Sequence, residues 1–293
     1  MQIREYSLPS GWYPRDSEAV SRFLSEFPQN KTQTGLEHCF SCAIAPHAGW
    51  YYSGQIAARA VSGLQSDAQT IAVLGGHLPG SYPMLFAMED AVKTPLGNIP
   101  IDKELRSCLM QEFEDNTFDF QGISEDKNRD NTIEVLLPMV RYYFPKSELL
   151  WLRLPAHISS FKAGKVIFSA AAKLNRKINV LASTDLTHYG PNYGFSPKGR
   201  GKEALRWVRE KNDAKIIKAV ESGDSAETLR CANEDFSSCS AGAVLGAMGF
   251  SAAMQKSLRL LVYGTSAETS LNDNNEEVPD SFVGYAAFGQ PGD

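Results

Sequence analysis

Four of the five histidines in this chain stand just past the carboxyl end of a short β-prone run, and chemistry is to be sought there first. His47 follows Cys42 to Ala45, His77 follows Thr70 to Leu74, His157 follows Leu149 to Leu154, and His188 follows Ile178 to Ser183. In a parallel sheet these ends share one rim, where open α/β sheets place their ligands. Imidazoles gathered on that rim can hold a metal ion or exchange protons near neutral pH. The stretch Ala45-Pro46-His47-Ala48-Gly49-Trp50-Tyr51-Tyr52-Ser53-Gly54 reads as a strand end, a loop histidine and a helix start, with Ser53 as the expected N-cap. Gly75-Gly76-His77-Leu78-Pro79-Gly80 lets the backbone bend sharply so that a second imidazole turns inward. Alone it reads equally as a turn with a solvated histidine. Beside His47 the ligand reading gains, because metal sites draw side chains from neighbouring elements.

Ser183-Thr184-Asp185-Leu186-Thr187-His188-Tyr189-Gly190 places an aspartate and a histidine three apart at a strand end. Asp185 can orient a ligand histidine and His188 can act as general acid or base, or Asp185 can simply cap a turn beside a surface histidine. Cys239, in Ser237-Ser238-Cys239-Ser240-Ala241-Gly242, precedes a helix of small residues whose N-terminus favours the thiolate, a state suited to a metal ligand or nucleophile. A buried, inert thiol is the competing reading. Cys39-Phe40-Ser41-Cys42 leads into a strand rather than a helix and has no second pair, so it is read as structural, and His38 likewise. His157 has the location but no partner motif. Trp50, Tyr51, Tyr52 and Tyr189 either pack the core or stack a ligand ring.

The elements that must position these residues alternate in type. A helix is expected from Ser17 to Phe27, and a further strand from Leu258 to Tyr263 joins the four β-prone runs above. Met84 to Ile101, with Thr94-Pro95-Leu96-Gly97-Asn98 at its middle, reads as two strands around a turn. Helices are expected at Asp102 to Phe113, Asn131 to Phe144, Ser160 to Leu174, Lys202 to Ser222, Ala226 to Ala232 and Ala241 to Met254, with a last strand from Phe282 to Phe288. That alternation predicts an α/β fold with a mostly parallel or mixed central sheet flanked by helices. No linker divides the 293 residues, so one domain spanning 1–293 is expected.

Composition narrows the function classes. The net charge of −5 comes with no Lys/Arg cluster, which argues against nucleic acid and anionic membrane surfaces as partners. No leader-like apolar segment opens the sequence and no long apolar run occurs, so a cytoplasmic location is expected. Five cysteines, an odd number, fit reduced thiols. Walker A, G-x-G-x-x-G, G-x-S-x-G and H-E-x-x-H motifs are all missing.

Several separately spaced motifs resemble the Memo family (AmmeMemoRadiSam system protein B), related to the class III extradiol ring-cleavage dioxygenases. They are Pro46-His47-Ala48-Gly49 with Tyr52-Ser53-Gly54, Leu74-Gly75-Gly76-His77, Thr94-Pro95-Leu96-Gly97, Ile133-Glu134 with Leu137-Pro138, the Ser183–Gly190 stretch, Cys239, and Val283-Gly284-Tyr285-Ala286-Ala287. They run in family order from about residue 40 to 290. The resemblance implies a single α/β domain in which His47, His77 and Cys239 hold one transition-metal ion (Fe, Cu or Zn). It also implies that Asp185 and His188 share the pocket, His188 matching the dioxygenases' acid-base histidine, and that AMMECR-type and radical-SAM proteins are functional associates. Two departures stand out: Asn131 where a family histidine precedes the Ile-Glu pair, and Leu78 after His77 where relatives often carry a polar residue.

A thiolate in place of the dioxygenases' carboxylate makes the donor set softer, suiting Cu or Zn as well as Fe, and exposes sulfur to oxidation beside activated oxygen. The leading expectation is therefore a non-haem metal-binding protein, in its catalytic form a metal-dependent redox enzyme with a His2Cys site. The alternatives are a binding or scaffold module that takes a peptide, small molecule or partner protein in a vestigial pocket, and an extradiol-type dioxygenase.

Overall fold

Mainly apolar runs without a strict apolar–polar alternation form strands covered on both faces, and four such runs make the middle of the sheet. In the computed structural model, which describes residues 1–29, 39–116, 118–272 and 277–290, Cys42–Ala45, Ile178–Ser183, Thr70–Gly75 and Glu148–Arg153 lie side by side and parallel. Their register pairs Ala45 with Ser183 and Gly75 with Arg153, so the carboxyl ends finish level. That common rim is what the histidine spacing predicts.

The sheet is mixed. Phe282–Gly289 adds antiparallel to Cys42–Ala45, with Arg259–Thr265 and the short His188–Tyr189 strand paired antiparallel to it. At the other edge Met84–Phe86 pairs antiparallel to Glu148–Arg153, followed by Ile123–Glu125. The Met84–Ile101 region holds three short strands instead of two, because Ala91–Val92 and Ile99–Pro100 leave the main sheet to join Ile3–Arg4 in a separate one. The rest is a single α/β domain with a hydrophobic layer on each face. One layer centres on Ser159–Lys173 and Ala241–Ala253, the other on Trp50–Ser62 and Leu137–Tyr143.

The Ala241–Ala253 helix, buried from Ala241 through Ser251, fixes the residue just before it. Its glycines permit backbone contact: a Cβ on Gly249 would collide with the Phe161 carbonyl, and one on Gly242 with the carbonyls of Leu154 and Pro155. Cys239 is thereby held against the strand rim.

Three local expectations are corrected. The helix after His47 begins at Trp50 with Gly49 in the cap position, so Ser53 lies within its first turn and its hydroxyl bonds back to the Ala48 carbonyl at 3.2 Å instead of capping. Asn131 to Phe144 is two helices, Asn131–Glu134 and Leu137–Tyr143, with Pro138 opening the second, where its missing N–H costs nothing. Lys202 to Ser222 contains a π-helical stretch, Val208–Asp213, a form that commonly marks a functional constraint. Among the described residues no helix is long and apolar enough to cross a membrane.

Candidate metal centre

His47 sits one residue past its strand, and three separate elements fix it. Its backbone N–H donates to Asp185 Oδ1 at 2.8 Å, and its carbonyl accepts from Asn131 Nδ2 at 2.9 Å. Its ring Nδ1 lies 2.6 Å from Ser183 Oγ, at the end of the neighbouring parallel strand. The residue is buried, and Nε2 is left pointing at Cys239 Sγ, 3.2 Å away. Asn131, which cannot act as a base, thus holds this loop through its side-chain amide.

His77 reaches the same point from a different kind of backbone. It adopts φ 56°, a left-handed conformation that a side chain beyond glycine takes only under constraint. The two glycines before it allow close approach: a Cβ on Gly76 would strike Ser240, and one on Gly75 would strike Thr132. Its Nδ1 lies 3.0 Å from Asp130 Oδ2, so Nε2 is the nitrogen available to Cys239. Asp130 is itself tied to Arg153 Nη2 at 3.2 Å and caps the Asn131–Glu134 helix, while Arg153 Nε donates to the Gly76 carbonyl at 3.0 Å. Burial pushes the Asp130 acid upward, but the His77 bond and Arg153 outweigh it and hold the carboxyl at about 2. Burial likewise opposes protonation of His77, yet Asp130 on one side and Cys239 on the other push it up to about 10.

Cys239 completes the group from the turn before the buried helix. Its N–H donates to the Asp185 carbonyl at 3.2 Å, and the Asp185 N–H points back at Sγ at 3.3 Å. Burial raises the thiol's pKa, but the charges and hydrogen bonds of His47 and His77 overcome this and bring it down to about 6. At neutral pH the site therefore holds a thiolate beside an imidazolium. The donor atoms of His47, His77 and Cys239 all lie within 4.8 Å of one another, and the two imidazoles meet edge to face at 4.9 Å.

A cleft of about 680 Å³ opens onto His47 and His77. Asp185 and His188 line it, with Tyr52, Tyr193 and Trp12 contributing aromatic surface and no Lys or Arg among the described lining residues. Asp185 is buried, and desolvation raises its pKa against the opposing pull of His188 and of the His47 and Ala48 N–H groups. His188 Nδ1 lies 3.1 Å from the Leu186 carbonyl. A carbonyl only accepts, so Nδ1 carries the hydrogen and Nε2 is the nitrogen free to bind or release a proton.

Other candidates fall elsewhere. His157 packs edge-on against Phe120 at 6.1 Å, outside the cleft. Of the aromatic set only Tyr52 lines the cleft; Trp50 is buried with Nε1 bonded to the Val135 carbonyl, and Tyr189 stacks on Phe282 in a separate cluster. Cys42 is buried in the core, and His38 lies outside the described residues. The sequence reasoning missed Asp130, Arg153 and the anchoring role of Ser183. Arg153 carried a usable signal, a lone cation after the apolar run Leu149 to Leu152. Asp130 carried none, since the turn it caps reads as ordinary surface.

A family model described as "Memo-like protein" matches residues 4–288. Among curated relatives, a MEMO1 family protein of Pyrococcus abyssi (strain GE5 / Orsay) is 29% identical over 298 residues, covering 98% of each chain. Another, of Pyrococcus horikoshii, is 28% identical over 298 residues, covering 98% of this chain and 99% of that one. Among solved structures, an uncharacterized protein of Escherichia coli K12 aligns with a TM-score of 0.42 and 12% identity, covering 85% of this chain and 99% of that one.

Proposed function

The chain belongs to the Memo-like protein family, and we propose that within it this protein is a metal-binding protein whose donors are His47, His77 and Cys239, serving a metal-dependent redox reaction. The observation that carries this reading is the convergence of two imidazole nitrogens and one thiol sulfur within 4.8 Å. The surroundings fit as well. Each imidazole turns Nδ1 to an anchoring oxygen, on Ser183 or Asp130, and so presents its other nitrogen to a common point, as outer partners of metal-ligating histidines do. A His2Cys set suits Cu, Zn or Fe, and such an ion, when bound, supplies Lewis-acid or one-electron chemistry. A carboxylate is missing from the three donors, so ring cleavage of the extradiol type is not the reading adopted.

In this reading the protein groups divide the work. His188, which lines the cleft, takes or gives the proton at its free Nε2, while Asp185 fixes the His47 backbone and sets the field around His188. The cleft's aromatic and hydroxyl lining, with no Lys or Arg among the described lining residues, suits an uncharged ligand. The reading also places the protein in the cytoplasm, with AMMECR-type and radical-SAM proteins as associates, which co-purification tests.

Metal analysis of the purified protein against a His47→Ala, His77→Ala, Cys239→Ser triple variant tests the site. About one equivalent of ion in the parent and none in the variant is expected; equal content in both rejects it. His188→Ala should retain the ion and lose turnover, and loss of the ion instead would remove His188 from the acid-base role.

A further inference from the structure

The sulfur of Cys239 is reached from a different side than the two imidazoles. His47 and His77 line the large cleft, whereas Cys239 lines a separate chamber of about 310 Å³, and the two spaces touch only at His188 and Tyr193, which line both. Aromatic groups make up much of the chamber wall: Tyr193, Phe195 and Phe236, with Ala232 beside them. Its polar members are His188, Ser238 and the thiol. No Lys, Arg, Asp or Glu lines it among the described residues.

Phe236 is the informative residue. The helix Ser225–Glu234 ends in the cap residue Asp235, and Phe236 follows at φ 52°. This is the left-handed position after a helix cap, which glycine fills without a steric penalty and a phenylalanine does not. The strain does not serve to bury the ring, because Phe236 is 60% exposed. Its ring stands at the chamber wall with its centroid 5.3 Å from that of Phe195. A large apolar side chain thus occupies a glycine position and remains in solvent. That combination is unfavourable for folding alone, and an aromatic ring seated against Phe236 would account for it.

We propose that this chamber is a second binding site, for a small uncharged aromatic ring the size of an indole, which enters past Phe236 and sits edge to face against Phe195 and Tyr193 with its inner edge at Cys239 and His188. The volume lies at the lower end of small-molecule pockets, enough for one or two fused rings. With no Lys or Arg among the described wall residues, an anionic ligand would lose its hydration there without a partner. The site is complete in the metal-free protein, so it stands independently of the metal reading above.

The test uses full-length metal-free protein and 5-fluoroindole followed by fluorine NMR. Saturable binding is expected, with indole-3-acetate at least about tenfold weaker and Phe236→Gly weakening 5-fluoroindole by about tenfold. Phe236→Gly should unfold at the same temperature as the parent or higher, because glycine relieves the left-handed backbone. That separates a ligand role from a structural one. Phe236→Leu, which keeps apolar bulk without a ring, serves as the second variant and should show the same weakening. Binding as tight as the parent's in both Phe236 variants, equal binding of the carboxylate analogue, or no saturation into the millimolar range overturns the proposal. So does loss of binding in Tyr52→Ala but not in the Phe236 variants, which would place the ring in the large cleft.

Discussion

On the His77 flank of the candidate centre buried carboxylates face arginine, and on the His47 flank they face none. Asp130 and Asp126 both pair with Arg153, at 3.2 and 3.3 Å, and Arg4 stands near Asp126 as well. Asp185 and Asp213, behind His47 and His188, are buried with backbone N–H groups, hydroxyls and histidines as partners. Burial pushes both of their pKa values up, while Asp130 is held at about 2. The His77 flank is therefore permanently charged and works as a fixed electrostatic anchor. On the other flank Asp213, raised to about 6 by burial, changes its protonation close to neutral pH, which is where a proton-handling step belongs.

The largest expected effect is on metal affinity as a function of pH. A metal must displace whatever proton its ligands hold. With Cys239 lowered to about 6 and His77 raised to about 10, these two ligands together carry one such proton between those values and two below the lower one. Affinity should therefore climb roughly tenfold per pH unit from about 6 to about 10, and more steeply below about 6. These values belong to the coupled pair rather than to either residue. Competition titrations with a chromophoric chelator across this range measure the slope. A flat profile above pH 7 would mean that His77 is not charged in the free site, and the contrast between the flanks would lose its electrostatic basis.

Next in size is the effect of the anchor itself. Asp130→Asn keeps the shape but removes the charge that orients His77 and compensates Arg153. A loss of about 10- to 100-fold in metal affinity is expected, the usual cost of removing an outer partner, with some loss of stability because Arg153 then relies on Asp126. Unchanged affinity by calorimetry would show that the left-handed backbone at His77, not the carboxylate, sets the imidazole's direction.

How much of this was legible in the sequence differs between the flanks for a physical reason. His47, Asp185 and His188 follow β-prone runs that lack the apolar–polar alternation of a half-exposed strand, so their place on the rim followed from pattern alone. The fold class was readable for the same reason. The Asp130 anchor was not, because it depends on a contact between residues 53 positions apart, and a helix-capping aspartate looks the same whether or not a histidine faces it. Ser53 was misread as a cap because Gly49, a residue without a side-chain acceptor, caps the helix four residues earlier. The broken Lys202 to Ser222 helix shows no helix-breaking residue at the π-helical stretch. There Asp213 turns inward, and its carboxylate takes the Thr187 N–H at 3.1 Å and the Tyr263 hydroxyl at 2.8 Å, a demand set by the tertiary fold.

Asp213 provides the third test, on the neutral-prone flank. Its pKa is raised to about 6 by burial, so between pH 4 and 6 the native state holds a proton that the unfolded chain has released. Stability must then fall as pH rises through that window, by up to about 3 kcal/mol in total. Asp213→Asn has no such proton, so its stability should stay level over the same range and overtake the parent's towards pH 7. Denaturant midpoints at pH 4 and pH 7 read this directly. Parallel profiles for the two proteins would place a compensating cation near Asp213 and erase the distinction between the flanks.

The smallest effect should come from Ser183→Ala. The hydroxyl lies 2.6 Å from His47 Nδ1, but it is neutral, and His47 is also held through its own backbone by Asp185 and Asn131. Losing one neutral hydrogen bond at a buried nitrogen costs about 1 kcal/mol, and the imidazole has little freedom to turn away. Metal affinity should therefore drop only about fivefold, well short of the Asp130→Asn loss. The two variants measured side by side weigh a charged anchor on a strained loop against a neutral one on a rigid strand end. If Ser183→Ala proves the more damaging, rigidity on the His47 flank rests on that single hydroxyl, and the backbone bonds to Asp185 and Asn131 do not hold the ring.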